Sequence, residues 1–212
     1  MRAISVVLGV LLLNACVRIQ ATVQSFSELP TDYAGRTLAV VGYPDVLAES
    51  LEWKTYKPIF ERNFSKQGFV ISSLDEADYL AFVTYGVGDP QTSTEVGSVP
   101  IYGQTGGGTT YHSGTVSSYG GGYGSYSGTS YTAPTYGVVG STTYSYDVTT
   151  YTRTVFIDVF EAETEQKVYE SSAVSSGSCG IISEVIDEIA EAIFSKFPAG
   201  SGRVTVPAES NC

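Results

Sequence analysis

The alternation of apolar and polar positions predicts strands in both halves of the chain. In residues 79–87, Y-L-A-F-V-T-Y-G-V, successive side chains fall on opposite faces, as expected for a strand. A second alternating run covers residues 151–159, and a return run over residues 168–174 completes a hairpin. Shorter apolar runs at residues 17–26 and 37–43 predict two further strands. The two halves therefore contribute strands to one sheet.

Two stretches change to helical spacing, in which apolar side chains recur every three or four residues. The second of them, residues 181–197, combines a strong apolar stripe with an acidic outer face. The first, residues 51–67, is marked by aromatic side chains on one helical face, namely Trp53, Tyr56, Phe60 and Phe64. A stripe at this spacing is typical of a helix that packs on a core, so we expect the aromatic face to be buried.

Between the strands lies a segment of different composition, residues 97–150. It contains 13 of the chain's 23 glycines and 9 of its 16 tyrosines, and its one formally charged side chain is Asp147. As a flexible loop, the segment would bury too little surface to become ordered. As a long hairpin arm, it would present amphipathic rings to a glycan or a partner protein. The candidate contacts are Tyr102, Tyr111, Tyr119, Tyr123, Tyr126, Tyr131 and Tyr136.

The N-terminus has the pattern of an export signal. Arg2 is followed by an apolar run, residues 3–13, which is too short for a permanent membrane span and suits the core of a signal peptide. The run ends in L-N-A-C, which resembles the bacterial lipobox. That resemblance implies a signal peptide over residues 1–15, cleavage before Cys16 and a diacylglyceryl group on its sulfur. Lipid chains contribute about 0.8 kcal/mol per buried methylene, so this group would anchor the chain to a membrane.

The residue after the cysteine is Val17. In the class that the lipobox resembles, Asp at this position favours retention in the inner membrane, so Val17 implies the outer membrane. We therefore expect a lipid-anchored protein of the outer membrane that faces the periplasm or the cell surface. The alternative is an ordinary signal peptide that is cut after Ala21, which would discard Cys16.

Two further cysteines remain in the mature chain. Thiols in an oxidising periplasm tend to pair, so we predict a disulfide between Cys179 and Cys212. A loop of roughly 33 residues closed by this bond implies about 3–4 kcal/mol of stabilisation in the chain-entropy model. The bond would fix the tail, residues 199–212, which is otherwise expected to be polar and mobile. Two free thiols are the alternative.

Composition excludes several classes of function. The net charge is −11, and no Lys or Arg lies between Lys66 and Arg153, so we expect no nucleic-acid partner. His112 is the one histidine, and it lies in the Gly- and Tyr-rich segment, so Ser-His-Asp, Cys-His and zinc arrangements lack their usual residues. We therefore predict no catalytic residue, no metal and no cofactor. Asp158 stands alone in an apolar strand and is expected to lie at a sheet margin or to pair with a cation rather than to act as a base.

Local motifs follow one another in a set order along the mature chain. They are A-G-R-T-L-A-V-V at residues 34–41, Y-K-P-I-F-E-R-N-F-S-K-Q-G-F at residues 56–69, an Ala-Asp pair at residues 77–78, V-F-I-D-V-F-E-A-E-T-E-Q-K-V-Y-E-S-S-A at residues 155–173, and a terminal helix ending in Phe-Pro. Their order resembles a family of small bacterial envelope lipoproteins known only as a domain of unknown function. The resemblance implies an α+β fold: a mixed, mostly antiparallel sheet with two helices on one face and a long Gly/Tyr-rich hairpin insertion. The family has no established activity or catalytic residues, so the resemblance implies neither for this chain.

These observations predict one domain over residues 16–198 with a non-enzymatic role in the cell envelope. In the leading hypothesis, the tyrosine-rich segment binds another envelope protein or a polysaccharide. In the second hypothesis, the chain is a structural or assembly factor whose sheet edge pairs with a strand of a partner. An envelope enzyme is the third and weakest hypothesis, because no nucleophile and base are recognisable.

Overall fold

The structure, a computed structural model, describes residues 18–44 and 48–208. The chain divides into two compact units, of which the first combines Met1–Thr92 with Thr149–Cys212 and the second is Ser93–Val148. The predicted signal peptide, Cys16 and Cys212 lie outside the described residues. Predictions that concern them therefore stay predictions.

Within the described residues, eight strands form one mixed sheet. They are β1 (Arg18–Ser27), β2 (Thr37–Gly42), β3 (Val70–Ile71), β4 (Tyr79–Val87), β5 (Gln91–Ser117), β6 (Tyr123–Glu161), β7 (Lys167–Gly177) and β8 (Gly200–Pro207). Their order is β3-β2-β4-β6-β7-β1-β8, and β5 pairs with β6 outside this path. β2 runs parallel to β3 and β4. The pairings β4–β6, β6–β7, β7–β1 and β1–β8 are antiparallel.

The helices α1 (Leu51–Lys66) and α2 (Ile186–Phe194) pack on the first unit's sheet and on each other. α1 begins after Ser50, whose Oγ accepts a hydrogen bond of 2.9 Å from the Trp53 N–H. The predicted aromatic stripe is confirmed, because all four of its side chains are buried. Phe64 of α1 meets Phe194 of α2 edge to face, with ring centroids 4.8 Å apart, and this contact joins the two helices.

The core lies between the helices and one face of the sheet. In β6, Val155, Ile157 and Val159 are fully buried, whereas Phe156 between them is 44% exposed. The strand therefore has one face in the core and one in solvent, as its alternation predicts. Within the described residues, no helix is long and apolar enough to cross a bilayer.

The α+β prediction is wrong, because the chain is mostly sheet. β5 and β6 extend over 27 and 39 residues, whereas α2 has only nine. The second helix was expected over residues 181–197, but Ile182–Glu184 forms a separate 3-10 turn before α2 begins. The tail also differs from the mobile segment expected, since Gly200–Pro207 forms β8 against β1. An edge strand needs few apolar side chains, and here Val206 alone is buried.

Candidate functional site: the tyrosine hairpin

The second unit is an antiparallel hairpin formed by parts of β5 and β6. At its turn, the Ser118 N–H donates to the Gly122 carbonyl at 2.9 Å, and Gly121 adopts a positive φ of 87° that glycine tolerates best. Side-chain hydrogen bonds join the two strands along their length. They are Thr94 to Asp147 at 2.7 Å, Thr105 with Thr135 at 3.2 Å, and His112 with Ser130 at 2.8 Å. The predicted Gly- and Tyr-rich segment is thus extended and paired.

Two glycines of the hairpin lie where a tyrosine ring of the opposite strand crosses the backbone. A Cβ atom on Gly97 would lie 2.5 Å from Cζ of Tyr144, and one on Gly114 would lie 2.6 Å from Cε1 of Tyr126. No side chain fits at either glycine unless the ring moves. Aromatic rings that cover glycines in this way stabilise exposed β structure. At these two positions, packing across the hairpin is the physical reason for glycine.

The hairpin displays its aromatic rings to solvent. No residue between Ser93 and Val148 is buried. The seven tyrosines predicted as partner contacts range from 57% exposed at Tyr126 to fully exposed at Tyr119. The structure thus places all seven on one accessible element, without a core of their own. Their contact with a partner stays a prediction.

The hairpin surface is almost free of charge. Between Ser93 and Val148 the charged side chains are Glu95 and Asp147, and both are hydrogen-bonded. The Tyr146 hydroxyl donates to Glu95 at 3.0 Å, and this bond raises the pKa of Tyr146 above its ordinary value. A surface of this kind can offer ring stacking, backbone groups and hydroxyl hydrogen bonds, but little charge attraction.

The first unit has a partly exposed aromatic face that the sequence analysis missed. On the sheet face opposite the buried one, Phe82 meets Phe160 at 5.7 Å and Tyr43 at 6.2 Å between ring centroids. Beside them, the Lys167 Nζ lies 3.0 Å from the Asp158 carboxylate, which confirms the expected pairing with a cation. The hydrogen bond to Asp158 is the main reason that the pKa of Lys167 is raised. Phe156 and Phe160 both fall on the outward face of residues 155–160, and this is the signal that would have indicated the surface.

Arg153 is a buried cation in β6. Its guanidinium donates to the Ser175 Oγ at 3.2 Å and to the Cys179 carbonyl at 3.4 Å, and no carboxylate of the described residues pairs with it. Desolvation lowers the pKa of Arg153. These contacts tie β6 to the end of β7 and to the segment that follows it, so we assign Arg153 a structural role.

The remaining predicted sites are only partly described. Cys179 is disulfide-bonded, but its predicted partner, Cys212, lies outside the described residues, so this pairing stays a prediction. Cys16 also lies outside them. Among the residues that the structure describes, no three His, Cys, Asp or Glu side chains come close enough together to hold a metal ion.

Comparison with known proteins gives a family and a distant likeness to solved structures. A family model described as Domain of unknown function (DUF4136) matches residues 22–199. A search of curated proteins found no match. Among solved structures, the chain is similar to a PDZ domain protein from Parabacteroides distasonis ATCC 8503, at 13% identity and a TM-score of 0.38. The match covers 90% of this chain and 39% of that one, so the chain spans well under half of that protein's length.

Proposed function

Because the chain belongs to the family described as Domain of unknown function (DUF4136), as its motifs indicated, we propose a function from its own surfaces. In this proposal it is a non-enzymatic binding or assembly protein of the cell envelope, anchored to the outer membrane through lipid on Cys16. The tyrosine hairpin, residues 93–148, is its binding element. The observation that carries the proposal is that nine tyrosines are displayed on a paired ribbon that contains no buried residue.

Tyrosine rings suit this role for a physical reason. Each offers a large and stiff contact surface with only two side-chain torsions to fix, so little conformational entropy is lost on binding. The hydroxyl adds a directed hydrogen bond at the rim of the ring. On the hairpin, hydroxyl-bearing Thr and Ser side chains lie among the rings. A neutral glycan or a protein surface of low charge is the ligand chemistry that such a ribbon favours.

The anchor is supported by the sequence around Cys16. Only Val17 separates this cysteine from β1, which begins at Arg18. A lipid on Cys16 would therefore hold the first unit close to the membrane surface. Cys16→Ser should leave the precursor without a lipid, as measured by mass spectrometry of the chain from native membranes. A native N-terminus that is free and begins at Thr22 would overturn the anchor.

A second function is favoured by a separate observation. β5 and the part of β6 that lies in the second unit each have one side that no described strand pairs with. Such sides present unpaired backbone groups to which a partner strand can add. The chain could thus act as an assembly factor whose hairpin edge, rather than its rings, makes the contact.

The binding role is tested by an affinity pull-down, in which the chain captures its partner from native envelopes. The variant Tyr102→Ser/Tyr111→Ser/Tyr131→Ser removes three exposed rings but leaves the backbone unchanged. Truncating an aromatic anchor commonly costs about 2 kcal/mol or more, so captured partner should fall at least about tenfold. The matched control is Phe26→Ser/Phe156→Ser, which removes exposed rings from the first unit and should capture as the wild type does.

The ligand is identified by mass spectrometry of bound proteins and by sugar analysis of bound glycans. Circular dichroism of each variant shows that its fold is retained. Equal capture by the wild type and the hairpin variant would reject the rings as the contact. If only the control variant fails to capture the partner, the binding site lies on the first unit.

A further inference from the structure

Residues 136–146 of β6 form a strand edge with one free side. The pairings of β6 with β7 and β4 begin only at Tyr151 and Arg153, and β5 is the described strand beside β6 in the hairpin. Backbone N–H and C=O groups of a strand point alternately to its two sides, so about half of those in this segment lack a strand partner. We call residues 136–146 the free edge.

The free edge has the composition of a strand that pairs with others. It reads Y-G-V-V-G-S-T-T-Y-S-Y, in which seven of the eleven residues are β-branched or aromatic and none is charged. Neighbouring Val138 and Val139 are both more than half exposed, so both faces of the strand offer apolar surface. High β propensity without charge or proline is the signature of segments that add to another strand. The outer side of β5 is less suitable, because Pro100 and the positive φ angles of Gly107 and Gly108 interrupt it.

The edges of the first unit's sheet are protected, in contrast. β3 has only two residues, and β8 carries the exposed Arg203 and ends at Pro207. Short strands, charged side chains and prolines are the means by which natural sheets prevent further pairing. The free edge lacks all three over its length. It is bounded by Pro134 and Asp147, which limit any added pairing to a short and defined stretch.

The charge distribution leaves the hairpin as the surface at which two copies of this chain can meet. With a net charge of −11, two copies of this chain repel each other over most of their surfaces. The hairpin is where this repulsion is weakest, since no charged side chain lies between Glu95 and Asp147. Antiparallel pairing about Ser141 sets Tyr136 opposite Tyr146 of the second copy. It also keeps the two Asp147 side chains about 40 Å apart at 3.4 Å per residue, whereas parallel pairing would place them side by side.

We propose that two copies of this chain pair through their free edges, antiparallel and centred on Ser141. The two hairpins then form one four-stranded sheet. This inference rests on the proposed role of the hairpin in assembly, and it names the partner as a second copy. Four strands also explain how a ribbon without a core is stabilised, because isolated two-stranded hairpins are marginal in water.

Sedimentation equilibrium of the full chain over micromolar to submillimolar concentrations tests the pairing. The wild type should dimerise. Ser141→Lys places two like charges directly opposite each other and should weaken dimerisation about tenfold or more. The matched control, Ser176→Lys, adds the same charge at an exposed position of β7, an inner strand, and should dimerise as the wild type does.

Charge complementation makes the test specific to the predicted register. Ser141→Glu should also fail to self-associate, but a mixture of the Lys and Glu variants should restore the dimer. A wild type that stays monomeric throughout, a Ser141→Lys variant that dimerises normally, or a mixture that does not associate would each overturn the proposal. If pairing fails while the tyrosine variant still loses its envelope partner, the binding function stands without self-association.

Discussion

The contact between Gly97 and Tyr144 allows the packing of the hairpin to be tested with a single methyl group. A Cβ atom at Gly97 would lie 2.5 Å from Cζ and 2.8 Å from Cε1 of Tyr144, which is far inside van der Waals distance. Gly97→Ala therefore displaces the ring. Gly128→Ala is the matched control, because a Cβ atom there meets nothing within 4 Å and Gly128 has no positive φ.

The size of the destabilisation by Gly97→Ala follows from the contact that the Tyr144 ring loses. Tyr144 is already about half exposed, so it can swing away, and the cost is its cross-strand contact rather than a full steric clash. Such contacts are worth about 0.2–1 kcal/mol, which corresponds to a factor of up to about five in the local opening equilibrium. The control should have no such cost, since alanine in a strand is favoured over glycine.

Native-state hydrogen exchange followed by NMR reads this local opening amide by amide. Amides around residues 95–97 and 144–146 should exchange faster in Gly97→Ala, while those of β7 keep their wild-type protection. Protection in Gly128→Ala should equal or exceed that of the wild type. Equal protection of the hairpin in both variants would show that the Tyr144 ring does not stabilise the hairpin at Gly97.

Further predictions concern the first unit. Phe64→Ala, which removes a fully buried ring in contact with Phe194, should lower the free energy of unfolding by about 3–5 kcal/mol in urea titrations, and a loss below 1 kcal/mol would contradict the packing. Burial raises the pKa of Tyr85 to about 12. The folded chain therefore holds the hydroxyl proton of Tyr85 more tightly than the unfolded chain does. The resulting stabilisation should be intact below about pH 10 and should be lost as the pH rises towards 12. Tyr85→Phe should flatten that alkaline decline. Hydrogen bonds from Thr37 lower the pKa of Asp78, so the stabilisation it gives should be present above about pH 4 and lost as the pH falls further, and Asp78→Asn should remove this part of the acid dependence.

Regular local patterns were the part of the fold that the sequence made predictable. The spacing of Trp53, Tyr56, Phe60 and Phe64 indicates a buried helical face whatever surrounds it, and the structure confirms it. The strand over residues 79–87 was predictable for the same reason, because its alternation reports one buried and one half-buried face. Each pattern is set by residues that lie close together in the sequence, so no distant contact is needed to recognise it.

Long-range and edge features were not predictable in the same way. The order of the hairpin depends on contacts such as Gly97 with Tyr144, whose partners are far apart in sequence, so the segment alone has the composition of a loop. β8 was missed because its polar sequence needs only β1 beside it and Val206 in the core. Because β8 was missed and the order of the hairpin was left open, strand was underestimated, and the fold was wrongly assigned to the α+β class.

The residues of the candidate site could be predicted from the sequence, but their arrangement on a paired hairpin could not. The seven tyrosines were identified from composition, whereas their display on a paired ribbon required the structure. The partly exposed aromatic face around Phe82 and Phe160 was missed because strand alternation was used to find the core, and its outward positions were not searched for rings. A sequence search that also asks which outward strand positions are aromatic would have found it.

The central claim is that the hairpin is the part of this protein that meets its partner. Site-specific photocrosslinking in intact envelopes tests it most directly, with a photoreactive phenylalanine at Tyr111 in the hairpin or at Phe156 on the first unit. The account predicts a discrete adduct from position 111, whose mass distinguishes a second copy from another partner, and none from position 156. Adducts from position 156 alone, or no adduct from the hairpin, would contradict it.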